Sequence, residues 1–105
     1  ADNGLVTRQI RPALAVHPKI GEPVFFNQIQ LHHISYLDAE VRESLLSMFG
    51  ESKLPRNVYF GDGTAITEEE VAEINTVYQR SQTSFYWQKG DILMLDNILV
   101  AHGRN

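Results

Sequence analysis

An uninterrupted apolar run near the C-terminus constrains the fold of this 105-residue chain more than any other feature. Residues 92–95 are Ile-Leu-Met-Leu, placed between a Lys-Gly-Asp turn and the polar pair Asp96 and Asn97. Four consecutive apolar residues bounded by turn signals are typical of a strand buried on both faces. We therefore expect residues 84–88 and 92–97 to be two strands of a sheet, joined by a turn at residues 89–91.

The N-terminal part of the chain has the signals of a second pair of strands. Residues 13–17 and 23–26 are the predicted strands, and Pro18 and Gly21 mark the turn between them. Pro12 and Pro18 also disfavour a helix in this segment.

Two helices are predicted between the β segments. The first begins after the N-cap Asp38 and ends at Gly50, and its apolar face comprises Val41, Leu45, Met48 and Phe49. The second begins with the capping-box spacing of Thr67 and Glu70, and its apolar stripe comprises Val71, Ile74, Val77 and Tyr78. The sequence therefore predicts a single α+β domain over residues 1–105, with β structure at both ends.

Composition excludes several classes of protein. The net charge is −4 and the nine Lys and Arg residues are scattered, which argues against nucleic-acid binding. The absence of cysteine excludes disulfides and thiolate metal sites and fits a reducing, cytoplasmic compartment. No apolar stretch is long enough to cross a bilayer, and the N-terminus is no signal peptide. A first residue other than Met and an abrupt end suggest a piece of a longer protein.

The histidines are individually weak signals of a metal site. His102 follows the apolar run and could be a ligand through its neutral imidazole, or an ordinary hydrogen-bonded residue near a terminus. His32 and His33 are adjacent, so in a strand they would face opposite sides, one inward and one in solvent. His17 precedes Pro18 at a turn and is expected to be structural or a donor that stabilises the turn.

Asp96 and Asn97 are the most informative polar residues, because polar groups that end a buried strand need partners. In a structural interpretation they hold the following loop through side-chain-to-backbone hydrogen bonds. In a functional interpretation they orient the loop that presents His102. Asp62, between two glycines, lacks the ligand ladder of a calcium loop and the lysine of a phosphate loop, so a turn is predicted there.

Two segments carry a family resemblance. Residues 87–104, WQKGDILMLDNILVAHGR, resemble the distal-histidine segment of the taurine dioxygenase-like family of iron(II)/2-oxoglutarate oxygenases. Residues 17–28, HPKIGEPVFFNQ, resemble the His-Pro-x-x-Gly hairpin of the same family. The segment between them is similar to the branch that includes the syringomycin-biosynthesis oxygenase, whose members are often encoded beside nonribosomal peptide assembly lines.

The resemblance implies part of a double-stranded β-helix, or jelly roll, with two helices inserted between strands. It also implies an iron(II) site of two histidines and one carboxylate with open positions for 2-oxoglutarate and O₂, in which His102 matches the second histidine. Asp96 and Asn97 would support that ligand from the outer shell, and Asn27 and Gln28 match residues that could face the pocket. The implied activity is hydroxylation of an amino acid, free or attached to a carrier protein, in secondary-metabolite biosynthesis.

The chain departs from the family pattern in two places. None of His17, His32, His33 and His102 is followed two residues later by Asp or Glu, so the His-x-carboxylate pair is missing. The arginine expected beyond the distal histidine is also missing, and Arg104 belongs to a different signature. We therefore expect residues 1–105 alone to be inactive and to hold neither iron(II) nor 2-oxoglutarate tightly. The alternative is a non-catalytic jelly-roll-like binding or dimerisation module, and open sheet edges could pair two copies into a homodimer.

Overall fold

The structure, a computed structural model, describes residues 3–104. These residues form two compact units. The first, here called the hairpin unit, comprises the described residues up to Asn27 together with those from Leu93 onward. The second, the helical unit, comprises Gln28–Ile92. The described strands and α-helices, in chain order, are β1 (Leu14–Val16), β2 (Pro23–Phe25), α1 (Ile29–His32), α2 (Ala39–Phe49) and α3 (Glu68–Ser81), so the predicted α+β class is confirmed. Two short 3-10 helices, Ile34–Tyr36 and Glu51–Lys53, precede and follow α2.

The hairpin unit contains the predicted N-terminal pair of strands, each shortened to three residues. β1 and β2 are antiparallel, with Leu14 opposite Phe25 and Val16 opposite Pro23. Two backbone hydrogen bonds close the turn: His17 N–H donates to Glu22 O at 2.9 Å, and Gly21 N–H donates to His17 O at 2.9 Å. Gly21 has φ of +73°, a left-handed conformation that favours glycine. Turn chemistry alone therefore located this hairpin correctly.

The two predicted helices of the helical unit are both present. α2 has Asp38 at its N-cap position and Gly50, with φ of +70°, at its C-cap. α3 begins with the predicted capping box, in which Glu70 N–H donates to Thr67 Oγ1 at 3.2 Å and Thr67 N–H donates to Glu70 Oε2 at 2.8 Å. The guanidinium of Arg42 on α2 donates to the carboxylate of Glu68 on α3.

His32 and His33 differ from the prediction in their secondary structure. His32 ends the short helix α1 and is exposed, whereas His33 follows it and is buried. The expectation of one inward and one outward histidine is confirmed, but the strand is wrong because the local backbone forms a helical turn. His33 Nε2 donates to Ile66 O at 2.7 Å, so it ties α1 to the segment before α3.

The apolar core of the described residues is small and lies in the helical unit. Val71 of α3 and Ile66, which precedes the helix, are the buried hydrophobic residues among positions 3–104. No residue of α2 is buried, and the predicted apolar face of that helix is mostly exposed. In the hairpin unit the buried residue is a histidine, His17, at 4% exposure. The aromatic side chains of Trp87 and Phe26 are 59% and 48% exposed.

The C-terminal strand pair predicted from residues 84–88 and 92–97 is wrong for this chain. The turn between them is present, with Asp91 N–H donating to Gln88 O at 3.0 Å, but the flanking residues form no described strand. Exposure alternates along the apolar run, at 90% for Ile92 and 91% for Met94 but 46% for Leu93 and 40% for Leu95. A strand needs a hydrogen-bonded neighbour, and no described segment pairs with this one, so burial on both faces does not occur.

Two further expectations are met. Asp62 forms the predicted turn, because its Oδ1 accepts from the amide and the hydroxyl of Thr64 at 2.9 and 2.7 Å. Among the residues that the structure describes, no helix combines the length and the apolar character needed to span a bilayer.

Candidate functional site

Asp96 organises a tight turn at the end of the apolar run. Its Oδ1 accepts from the Ile98 amide at 3.0 Å, and its backbone carbonyl accepts from the amides of Leu99 and Val100 at 3.0 and 3.1 Å. These bonds confirm the structural interpretation for Asp96, in which a side-chain-to-backbone hydrogen bond holds the following loop. Asn97 lies within the turn, which ends a few residues before His102.

The second carboxylate oxygen of Asp96 bonds to a residue far away in the sequence. His17 Nε2 lies 2.8 Å from Asp96 Oδ2, across a separation of 79 positions. The other ring nitrogen, Nδ1, accepts from the backbone amides of Lys19 and Ile20 at 3.1 and 3.3 Å. Because a backbone N–H can only donate, Nδ1 must carry a lone pair. The ring proton is therefore on Nε2 and points at Asp96. The imidazole is therefore held in one tautomer and one orientation.

The hydrogen bonds also favour the ionised form of Asp96. The hydrogen bond from His17, followed by the one from the Ile98 amide, holds the pKa of the Asp96 carboxyl below its ordinary value. The carboxylate is about half exposed, whereas His17 is buried. A charged acceptor strengthens the hydrogen bond that it receives, so the pair is a directional link between the β1–β2 turn and the C-terminal turn.

Sequence reasoning missed the partnership between His17 and Asp96. It predicted a structural role or a donor role in the turn. The structure shows a structural role in which Nδ1 accepts from turn amides, while the donor nitrogen is directed at Asp96. One available signal was the need of Asp96 for a partner, which applies to any polar group ending an apolar run. Nothing local in the sequence selects His17 among the possible long-range donors.

His102, the predicted iron ligand, lies in irregular backbone after the turn and is exposed. The hydrogen bonds of the Asp96 side chain go to His17 and Ile98, so Asp96 acts on the loop rather than on the His102 ring. Across residues 3–104, no three His, Cys, Asp or Glu side chains are grouped so as to hold a metal ion. These residues therefore do not fit a complete iron site, and His102 as one ligand of such a site stays a prediction.

The two candidate pocket residues lie at the end of the hairpin and the start of α1. Asn27 is half-buried, and its Nδ2 donates to Ala13 O at 2.7 Å, which joins the two open ends of the hairpin. Gln28 is exposed and precedes α1, and its carbonyl accepts from the Leu31 amide at 3.0 Å. Contact of either residue with a ligand stays a prediction.

The helical unit contains an open groove of about 350 Å³ that sequence reasoning did not anticipate. Its walls are apolar side chains from α1, α3 and the segment before α3, and Glu70 and Glu73 supply its polar atoms. Gln30 of α1 is buried, and its Oε1 has no hydrogen-bond partner among the described residues. An apolar groove with a few polar groups is a general feature of binding sites.

Comparison with known proteins bears on the family. The family model described as "Taurine catabolism dioxygenase TauD, TfdA family" matches residues 2–105. A curated relative, the dapdiamide synthesis protein DdaC of Enterobacter agglomerans, is 41% identical over 104 residues. That alignment covers 99% of this chain and 32% of the relative, so the chain spans about a third of the relative's length. No solved structure gives a significant match. Since the family model covers nearly every residue, the chain belongs to the taurine catabolism dioxygenase TauD, TfdA family.

Proposed function

We propose that the protein containing this chain is an iron(II)/2-oxoglutarate-dependent dioxygenase that hydroxylates an amino acid in secondary-metabolite biosynthesis. The observation that carries the proposal is the family match over residues 2–105. The biosynthetic setting is supported by the relative DdaC, whose name describes a dapdiamide synthesis protein. Iron(II) and 2-oxoglutarate, when bound to such an enzyme, supply the oxidation of an unactivated C–H bond by O₂.

Within that enzyme, the chain would contribute one metal ligand and its support. His102 is the proposed ligand, Asp96 and Asn97 shape the turn before it, and Asn27 and Gln28 are proposed to face the substrate pocket. The remaining ligands and the group that binds the far carboxylate of 2-oxoglutarate would come from other parts of the protein. This division accounts for the absence of a metal-ligand cluster within residues 3–104.

The proposed fold is a double-stranded β-helix in a single domain that includes both units. Alternating exposure along residues 92–95 supports this proposal, because a period of two is the pattern of a strand. In the complete barrel this segment would pair with strands from elsewhere in the protein and its exposed apolar side chains would be covered. The proposed partners are a free or carrier-bound amino acid and, through open sheet edges, a second copy. A cytoplasmic location is proposed with them.

The alternative is a non-catalytic binding or dimerisation module that lacks a metal site. The apolar groove beside α3 is the observation that favours it. The two proposals differ in a simple requirement: only the enzyme needs a His-x-Asp or His-x-Glu motif and an arginine in the parts of its reading frame outside this chain.

The deciding experiment uses the longest open reading frame that includes this chain. The purified protein is incubated with iron(II), 2-oxoglutarate and a panel of amino acids, free and carrier-bound, and succinate is measured. We expect succinate formation that His102→Ala abolishes and His32→Ala leaves intact, because His32 is an exposed histidine in the helical unit. Absence of succinate with every substrate, in a protein that binds no iron(II), would exclude the dioxygenase and favour the binding module.

A further inference from the structure

His17 has all of its polar atoms engaged. Its backbone amide donates to Glu22 O and its carbonyl accepts from Gly21 N–H, both at 2.9 Å. Its Nδ1 accepts from two amides of the turn, and its Nε2 donates to Asp96. At 4% exposure the ring is also shielded from water. A buried side chain with every donor and acceptor satisfied has little freedom to reorient, so His17 offers Asp96 a fixed donor.

Asp96 transmits this restraint to the C-terminal turn. One carboxylate oxygen is held by His17, while the other carboxylate oxygen and the backbone carbonyl hold the amides of residues 98–100. His102 follows the last of these amides by two positions. The position of the backbone just before His102 is thus linked, bond by bond, to the β1–β2 turn.

Apolar packing restrains this region only in part. Leu95, Leu99 and Val100 flank or complete the turn and are 40%, 47% and 44% exposed, and Ile98 within the turn is half-buried. Among the described residues of the hairpin unit, the buried residue is His17 itself. The hydrogen-bonded pair therefore adds a directional contact between the turn and the hairpin that partial apolar burial does not supply.

We infer that His17 is a positioning residue for the metal ligand His102, acting through Asp96 and the turn that Asp96 closes. The inference rests on the proposed function, since it assumes that His102 binds iron(II). Its physical basis is preorganisation: a ligand held in place before the metal arrives loses less conformational freedom on binding. His17 touches neither metal nor substrate in this scheme, and it determines only where the ligand-bearing segment begins.

The test uses substitutions in the full-length protein that remove or replace the hydrogen bond between His17 and Asp96. Asp96→Asn leaves one acceptor oxygen where two are needed, so either the bond to His17 or the bond to Ile98 is lost. His17→Ala removes the donor entirely, whereas His17→Gln keeps an N–H at the end of a side chain of similar reach. The matched control is Asp62→Asn, since Asp62 is a turn-forming carboxylate of the helical unit whose side-chain bonds are both to Thr64.

Two measurements decide between positioning and a purely structural role. Anaerobic calorimetric titration with iron(II) in the presence of 2-oxoglutarate gives metal affinity, and amide exchange at residues 98–100 reports the turn. We expect His17→Ala and Asp96→Asn to weaken iron(II) binding about tenfold, the lower end of the effect of outer partners of metal ligands. Exchange at residues 98–100 should accelerate in both, while His17→Gln should restore affinity and Asp62→Asn should match wild type.

The inference is overturned if folded Asp96→Asn, measured well below its melting temperature, binds iron(II) with wild-type affinity. It is equally overturned if His17→Gln binds as weakly as Asp96→Asn, a comparison that holds even if His17→Ala does not fold. Failure of the proposed function gives a different result, in which the wild-type protein itself binds no iron(II). In that case the positioning role is excluded as well, and amide exchange at residues 98–100 reports only a structural link.

Discussion

The two units of the molecule are stabilised in different ways. The helical unit is one continuous stretch of chain, with buried Val71 and Ile66, a capping box and a buried histidine bonded to a backbone carbonyl. The hairpin unit combines two distant stretches of chain, and its buried residue is His17, which is hydrogen-bonded to the carboxylate of Asp96. The helical unit is therefore held by contacts within one stretch of chain, whereas the hairpin unit includes a polar link between two stretches that are 79 positions apart.

The largest expected effect concerns the iron(II) affinity of this segment on its own. Residues 1–105 alone should show no tight binding of iron(II) with 2-oxoglutarate, because one imidazole cannot replace a three-ligand set. Isothermal titration of this segment beside the full-length protein measures the difference. One-to-one binding in the micromolar range by residues 1–105 would contradict the prediction and would show that the hairpin unit carries more of the site than His102.

The next effect concerns the apolar core of the helical unit. Val71→Ala should lower the free energy of unfolding by about 2 kcal/mol, because Val71 is 2% exposed and the removal of its methyl groups leaves a cavity. Val77→Ala on the same helix is the matched control, and at 58% exposure it should cost less than about 0.5 kcal/mol. Urea unfolding followed by circular dichroism gives both values. Equal effects at the two positions would show that α3 is not packed as described.

The capping box should contribute a smaller amount. Thr67→Ala removes the acceptor for the Glu70 amide, so we expect a loss of about 1 kcal/mol of stability in the helical unit. Thr67→Ser keeps a hydroxyl at the N-cap and should be close to neutral. If both substitutions destabilise equally, the contribution comes from the threonine methyl group rather than from the hydrogen bond.

Acid should weaken the hairpin unit through Asp96. Because the pKa of Asp96 is lowered in the folded protein, mainly by the bond from His17, its contribution to stability is present above the unfolded-state pKa of about 3.9. It is lost as pH falls through the lower, folded-state pKa. Amide exchange at residues 98–100 should therefore accelerate below about pH 4, and Asp96→Asn should remove that pH dependence.

Asp62 provides the comparison in the helical unit. Its pKa is likewise lowered, mainly by the hydrogen bond from the Thr64 hydroxyl. Its partners lie two positions away in the sequence, and its protonation should disturb only the turn around Thr64. An acid effect at Thr64 as widespread as that at residues 98–100 would contradict the distinction between a local and a long-range carboxylate.

The same distinction explains what could be predicted from the sequence. The capping box at Thr67, the glycine at the end of α2, the Asp62 turn and the β1–β2 hairpin all depend on neighbours within a few positions, and each was predicted correctly. Family membership was also predicted from two motifs and is confirmed by the match over residues 2–105.

The errors lie where a residue's partner is remote or absent from the described chain. Residues 92–95 have the composition of a buried strand, but pairing depends on a neighbour that composition cannot supply. His17 was interpreted from the adjacent proline, while its principal bond goes to Asp96, 79 positions later. The roles of His102, Asn97, Asn27 and Gln28 toward a ligand stay predictions, since each needs groups beyond those described.

The separation of 79 positions between His17 and Asp96 also orders events during synthesis. As the ribosome extends the chain, Gln28–Ile92 is complete and able to collapse before Asp96 emerges. Until Asp96 has emerged, the imidazole of His17 lacks its carboxylate partner, so the hairpin unit is incomplete. Nascent chains arrested before and after residue 96 should accordingly differ in the protease resistance of their N-terminal segment, while their middle segment is already protected in both.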